Sequence, residues 1–227
     1  MKAFHNDVNI QKKYLDRIYA HAKADNFIKG KYWENGKGCA VGCTIESDNH
    51  KAYETELGVP EWLARLEDTI FENLPNDLAK KWPVQFLEAI NLGSDLENIK
   101  KPFIIYLMNE NLKSIRSCVY NVEKNPEVKK AIDLVEAAIL QMIEAQESCD
   151  ADKISAAESA ARSAARSAVW SAESAAESAA RSAESTRSAA ESAVWSAESA
   201  ARSAESTRSA AFQNHANKIL ELIRACK

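Results

Sequence analysis

The sequence predicts an all-α protein: a compact multi-helix N-terminal body followed by a long Ala/Ser-rich C-terminal helix. Three observations carry that prediction. Ser and Ala supply 38 of the 57 residues from Ser155 to Ala211. The sixteen serines from Ser155 to Ser209 recur at a mean step of 3.6, one turn of an α-helix. All six glycines lie between Gly30 and Gly93 and all five prolines between Pro60 and Pro126, so the final stretch contains no helix breaker. The expected organisation is a compact helical body over 1–150, a helical repeat segment over 151–211, and a closing amphipathic helix over 212–227.

Taken in order, Asn6 or Asp7 caps a first helix whose apolar face is Val8, Leu15, Ile18, Tyr19 and Ala22, ending near Phe27 and Ile28. Asn35-Gly36 marks a tight turn, and Gly38 and Gly42 allow close backbone approach. The apolar patch Cys39–Ile45 fits either a buried strand or a helical turn, with a helix from about Gly38 favoured. Gly58 followed by Pro60 stops one helix and starts the next. That next helix buries Leu63, Leu66, Ile70, Phe71 and Leu74 before Pro75 closes it. Asn76 caps a short piece ending at Trp82, and Pro83 and Pro102 open further helices. Pro126 opens a long helix with Val128, Ile132, Val135, Ile139 and Met142 at steps of 4 and 3, an apolar seam that requires a partner helix.

The tail is stabilised locally by Glu→Arg pairs at helical spacing, such as Glu158–Arg162, Glu177–Arg181 and Glu198–Arg202, each contributing about 0.2–0.5 kcal/mol. Its small side chains remove little apolar area from water, so it needs the body or a second copy. A single straight or gently bent helix is expected from Ser155 to Ala211, because a hairpin would need a turn without Gly or Pro. Phe212, Ile219, Leu220, Leu222 and Ile223 form a true apolar face that docks on the body or on a partner. Trp170 and Trp195, about seven turns apart on one side, are the expected partner-binding anchors.

Charge and composition exclude several classes. The net charge is −4, with +1 in residues 151–227 and −5 in the rest. That balance does not suit a grip on duplex nucleic acid, which needs many phosphate-neutralising cations. No apolar run approaches the roughly 18 residues of a membrane span. The N-terminus lacks a signal peptide's apolar core, and five cysteines, an odd number, fit reduced thiols in a cytoplasmic protein.

Chemistry-bearing residues are few. Cys39 and Cys43, four apart, read as small buried core thiols, because a metal site needs three or four ligands at set spacing. No metal, cofactor or catalytic set is expected. Glu67-Asp68 and Glu54/Glu56 read as solvated charges on helix faces. The strongest candidate is the glycine-containing bend. Lys31, Trp33, Lys37, Gly38, Cys39, Gly42 and Cys43, with Lys29 and Tyr32 nearby, place cations, aromatic rings and backbone N–H groups around one loop. Its glycine spacing is not that of a phosphate-binding loop motif, and the bend equally reads as a tight turn packing a small helix under Trp33.

Tyr32–Thr44 (YWENGKGCAVGCT), Tyr53–Asn76 (YETELGVPEWLARLEDTIFENLPN) and Trp82–Ile90 (WPVQFLEAI), followed by an Ala/Ser-rich tail closing in NKILELI, resemble a family of uncharacterised bacterial and phage proteins. The resemblance implies a helical body with a helical tail and an accessory role in conflict between phage and host. It implies no catalytic residues. The functional expectation is a non-catalytic protein that captures a small anionic, nucleotide-like ligand at the bend. The alternatives are an interaction or homo-oligomerisation module built on the tail, and an enzyme with an unrecognised site.

Overall fold

The computed structural model describes the backbone of residues 1–118, 126–183 and 187–227. It is mostly helical with one two-stranded sheet, the predicted all-α class. The described chain forms two compact units, residues 1–103 with 203–227, and residues 104–202.

The first unit begins with an unanticipated feature. Phe4, His5 and Asn6 have φ of 53°, 51° and 58°, one turn of left-handed backbone. This conformation costs roughly 1–2 kcal/mol per residue. It is held because Phe4 is fully buried and because Ala3 exchanges hydrogen bonds with Ser94 and Gly93, both 2.9 Å. Asp7 then caps α1 (Val8–Lys23), its carboxylate accepting from the Asn9 N–H at 2.7 Å. The buried face of α1 is Tyr14, Ile18 and His21, while Val8 and Tyr19 are exposed. The expected face was therefore rotated: Tyr14 and His21 bury their rings and keep their polar atoms bonded, to Glu56 and to Glu46 and Asn26.

Next come β1 (Trp33–Glu34), β2 (Lys37–Gly38), α2 (Ala40–Ile45), α3 (Ala52–Leu57), α4 (Glu61–Asn73), α5 (Asn76–Ala79) and α6 (Trp82–Ala89). Trp82 starts α6 rather than closing α5, with Pro83 in its first turn. Leu63, Ile70, Phe71, Trp82, Phe86, Leu87 and Ile90 are essentially sealed from water and form the core of this unit with Tyr14, Ile18 and Leu57. A 3-10 turn (Leu96–Ile99) leads into α7 (Lys100–Cys118).

The end of α10 (Arg187–Ala225) belongs to the same unit. Ala216, Leu220 and especially Ile219 and Ile223 are buried, so the closing amphipathic stretch docks on the body. Its C-terminus is capped from a distance: the Asn91 side-chain amide donates to the carbonyls of Arg224 (3.1 Å) and Cys226 (2.8 Å). These are carbonyls a helix end leaves without partners. Asn91→Ala is expected to cost about 1–2 kcal/mol and to raise amide hydrogen exchange over residues 212–225. Unchanged exchange there would reject the capping role.

The second unit contains α8 (Pro126–Ser148) and α9 (Ala151–Ala183) as a packed pair. The predicted seam of α8 finds its partner here, but with a different centre. Ala131, Ala138 and Ala145 are buried, at steps of seven, as are Ala157 and Ala164 on α9. Small side chains let the helices approach closely, and Ile132, Val135, Ile139 and Met142 flank the seam half-buried. The reversal between the helices uses neither Gly nor Pro. Cys149 takes the left-handed conformation (φ 56°), and Asp150 caps α9 by accepting from the N–H groups of Asp152 and Lys153. The expectation of one continuous helix through the whole Ala/Ser tract involves residues 184–186, which lie outside the described residues, as do the side chains of Trp170 and Trp195. No helix among the described residues is long and apolar enough to cross a membrane.

Candidate functional site

The glycine-containing bend folds as a short antiparallel hairpin, Trp33 opposite Gly38 and Glu34 opposite Lys37. Asn35 and Gly36 both have positive φ (52° and 79°), the two-residue turn that matches strand twist. Gly38 and Gly42 serve a different purpose. A Cβ on Gly38 would lie 2.0 Å, and on Gly42 1.6 Å, from the Tyr32 carbonyl oxygen. The hairpin therefore presses directly against the start of α2, and only hydrogen fits at both positions.

This packing consumes the amides expected to cradle an anion. The Gly38 N–H donates to the Asn26 carbonyl (3.1 Å), and the Cys39 N–H to those of Lys31 (2.8 Å) and Tyr32 (3.1 Å). The Gly42 N–H donates to the Cys39 Sγ at 3.4 Å, and the Cys43 N–H to the Cys39 carbonyl at 3.0 Å. Gly38, Cys39 and Cys43 are buried, and so is Gly42. Burial and the neighbouring Asp68 carboxylate push the Cys39 thiol well above its ordinary range, and burial takes Cys43 up to about 12. Both remain S–H groups, whereas a nucleophile or metal ligand requires the thiolate.

Of the residues singled out in the sequence, Lys31 and Lys37 are exposed and Trp33 is half-buried, its ring edge-to-face with His21 at 5.4 Å. Lys31 pairs with Glu34. Lys37 lies close enough to Asp25 to help hold that carboxyl below its usual range, behind the larger effect of Lys80.

A cavity of about 210 Å³ opens where residues 30–32, entering the hairpin, meet α4. Gly30, Lys31, Tyr32, Asp68 and Glu72 line it. Only Lys31 among these belongs to the expected ligand set; Trp33, Lys37, Gly38, Cys39, Gly42 and Cys43 are not in its lining. Asp68 and Glu72 stand four apart on α4 and so share a helix face. Both Glu72 oxygens accept from the Gly30 N–H at 3.0 Å, while burial raises the Glu72 carboxyl above its ordinary value. Tyr32 is 53% exposed, its ring edge-on to His50 at 5.0 Å. His50 Nε2 stands 3.7 Å from Asp68 Oδ2.

Next to Asp68 on α4 stands an acid that sequence reasoning placed on a solvated face. Glu67 is fully buried. Its Oε2 accepts from the Tyr53 hydroxyl at 2.6 Å and its carbonyl from Trp82 Nε1 at 3.0 Å. Desolvation pushes the carboxyl well above its usual range, which the Tyr53 hydrogen bond only partly opposes. Glu67 Oε1 and Asp68 Oδ1 are both sealed from solvent without a hydrogen-bond partner. A signal for Glu67 existed: Leu63, Glu67, Ile70 and Leu74 follow steps of 4, 3 and 4 along the apolar seam.

Fold and site together define an all-α protein with a small, mixed-polarity cavity between a hairpin and a helix. No family model, curated protein or solved structure matches this chain. Among the described residues, no group of three or more His, Cys, Asp or Glu is placed to hold a metal ion.

Proposed function

We propose that this chain is a non-catalytic binding protein that captures a small, nucleotide-like ligand and withholds it from other proteins in a cytosolic setting. The cavity lined by Gly30, Lys31, Tyr32, Asp68 and Glu72 carries the reading. It joins a lysine for an anionic end, an exposed ring for stacking, and carboxylates for hydrogen-bond donors. The protonated, buried state of Cys39 and Cys43 favours binding over thiol chemistry. Sequestration of this kind suits the accessory role in phage–host conflict that the sequence resemblance implies.

A thermal-shift screen with nucleotides and signalling cyclic nucleotides tests this reading. A ligand present at about 100 times its Kd stabilises by about 2.7 kcal/mol, a rise of roughly 5–10 °C for a protein of this size. Lys31→Ala is expected to weaken capture about tenfold. No shift with any member of the panel counts against capture.

A second reading, homo-oligomerisation through the second unit, is favoured by a separate observation. Leu134, Leu140 and Val169 are 45%, 46% and 58% exposed. Leu134 also borders an open groove of about 400 Å³ between α8 and α9. Light scattering at several concentrations tests it. A concentration-dependent mass that Leu134→Glu/Leu140→Glu returns to monomer supports oligomerisation; a monomer throughout rejects it.

A further inference from the structure

We infer that the part of the ligand entering the cavity between residues 30–32 and α4 is a planar pair of N–H donors, as in a guanidinium group or the donor edge of guanine. The inference rests on the capture reading and deepens it.

The lining is acidic on balance. Asp68 and Glu72 enter from one helix face against a single lysine of the lining, Lys31. A wholly anionic ligand would meet two carboxylates. A donor edge meets acceptors instead. Glu72 uses both oxygens on a single N–H, from Gly30, and a carboxylate has about four lone-pair sites, so accepting capacity remains. Asp68 borders the same space, its Oδ2 standing 3.7 Å from His50 Nε2. Carboxylates bind planar N–H forks through two parallel hydrogen bonds, so a planar donor pair fits better than a rounded ammonium. The exposed Tyr32 ring offers a face for such a plane.

Size points the same way. At about 210 Å³ the cavity falls below the roughly 300–1,000 Å³ of sites for drug-sized ligands. It therefore accepts a flat head group while the rest of the molecule lies outside. Lys31, on the lining and exposed, is placed to meet a phosphate there.

Isothermal titration of the full chain with agmatine, GMP and AMP tests the inference. Agmatine presents a guanidinium without phosphate. GMP presents the paired donor edge with phosphate. AMP keeps the phosphate but lacks that pair. Agmatine or GMP is expected to bind at least tenfold more tightly than AMP, with the stronger of the two identifying the source of the donor edge. Asp68→Asn and Glu72→Gln are each expected to weaken that binding at least tenfold, because an amide offers donors where acceptors are needed. Should Asp68→Asn lose its helical circular dichroism, Glu72→Gln carries the same test. Agmatine and GMP both binding no more tightly than AMP, with affinities unchanged in the folded variants, would overturn the inference while leaving capture intact. Absence of binding by both agmatine and GMP at millimolar concentration would overturn it as well.

Discussion

Replacing Gly42 with alanine is expected to destabilise the first unit by roughly 3 kcal/mol or more, the range of severe overpacking. The sign is the opposite of the usual one. Alanine in a helix normally gains about 0.5–1 kcal/mol over glycine. Here the new Cβ would sit 1.6 Å from the Tyr32 carbonyl oxygen, a backbone atom that no side-chain rotation can move. Relief requires the hairpin to lift from α2. That would break the hydrogen bonds from the Cys39 N–H to Lys31 and Tyr32 and would open the cavity wall at residues 30–32. Gly36→Ala is the control. Its Cβ meets nothing within 4 Å, so only the strain of a positive φ remains, about 1–2 kcal/mol. Urea denaturation measures both. A Gly42→Ala midpoint equal to that of the unsubstituted chain would refute the close approach.

Stability is also expected to fall as pH rises above about 5, with Glu67 as the main cause. An unfolded glutamate titrates near pH 4.3. Burial raises the folded value well above that, so between the two values the folded state binds more protons than the unfolded one. Glu67's contribution is therefore fully present below the unfolded value and is lost as pH climbs toward the folded one. The steepest loss is about 1.4 kcal/mol per pH unit. Glu72, raised mainly by burial, acts in the same direction. Glu67→Gln separates the two, since a neutral amide still accepts the Tyr53 hydroxyl and no longer titrates. Its advantage over the unsubstituted chain should grow with pH in denaturation curves at pH 5.5, 7 and 8.5. Parallel pH dependences for the two proteins would mean that Glu67 is charged in the fold.

Both predictions concern residues whose types were plain in the sequence and whose surroundings were not. Gly38 and Gly42 signal close backbone approach in the sequence as well as a ligand loop, and in the fold they serve the close approach, as the contact between hairpin and helix. Glu67 stood on the apolar seam of α4, but its charge argued for solvent. What permits its burial is the Tyr53 hydroxyl, brought from α3, and the neutral form that burial favours. Asp68 and Glu72 stood one helical turn apart in the sequence. Nothing local indicated that residues 30–32 would lie across from them. The candidate site was thus legible only at its edge, in Lys31 and Tyr32.

Legible along the chain was what short-range physics controls: helices from their periodicity, a cap at Asn6 or Asp7, the Asn35-Gly36 turn, the start of α8 at Pro126 and the apolar face that closes the chain. These depend on backbone geometry and on neighbours within one turn, which a linear reading contains. The tertiary structure alone decided which face of α1 is buried, the left-handed turn at residues 4–6, the reversal at Cys149 and Asp150, and the cavity against α4. The left-handed turn costs free energy locally and is held because Gly93 and Ser94 supply hydrogen bonds to Ala3 and the core buries Phe4. Those partners meet in space while remaining far apart along the chain.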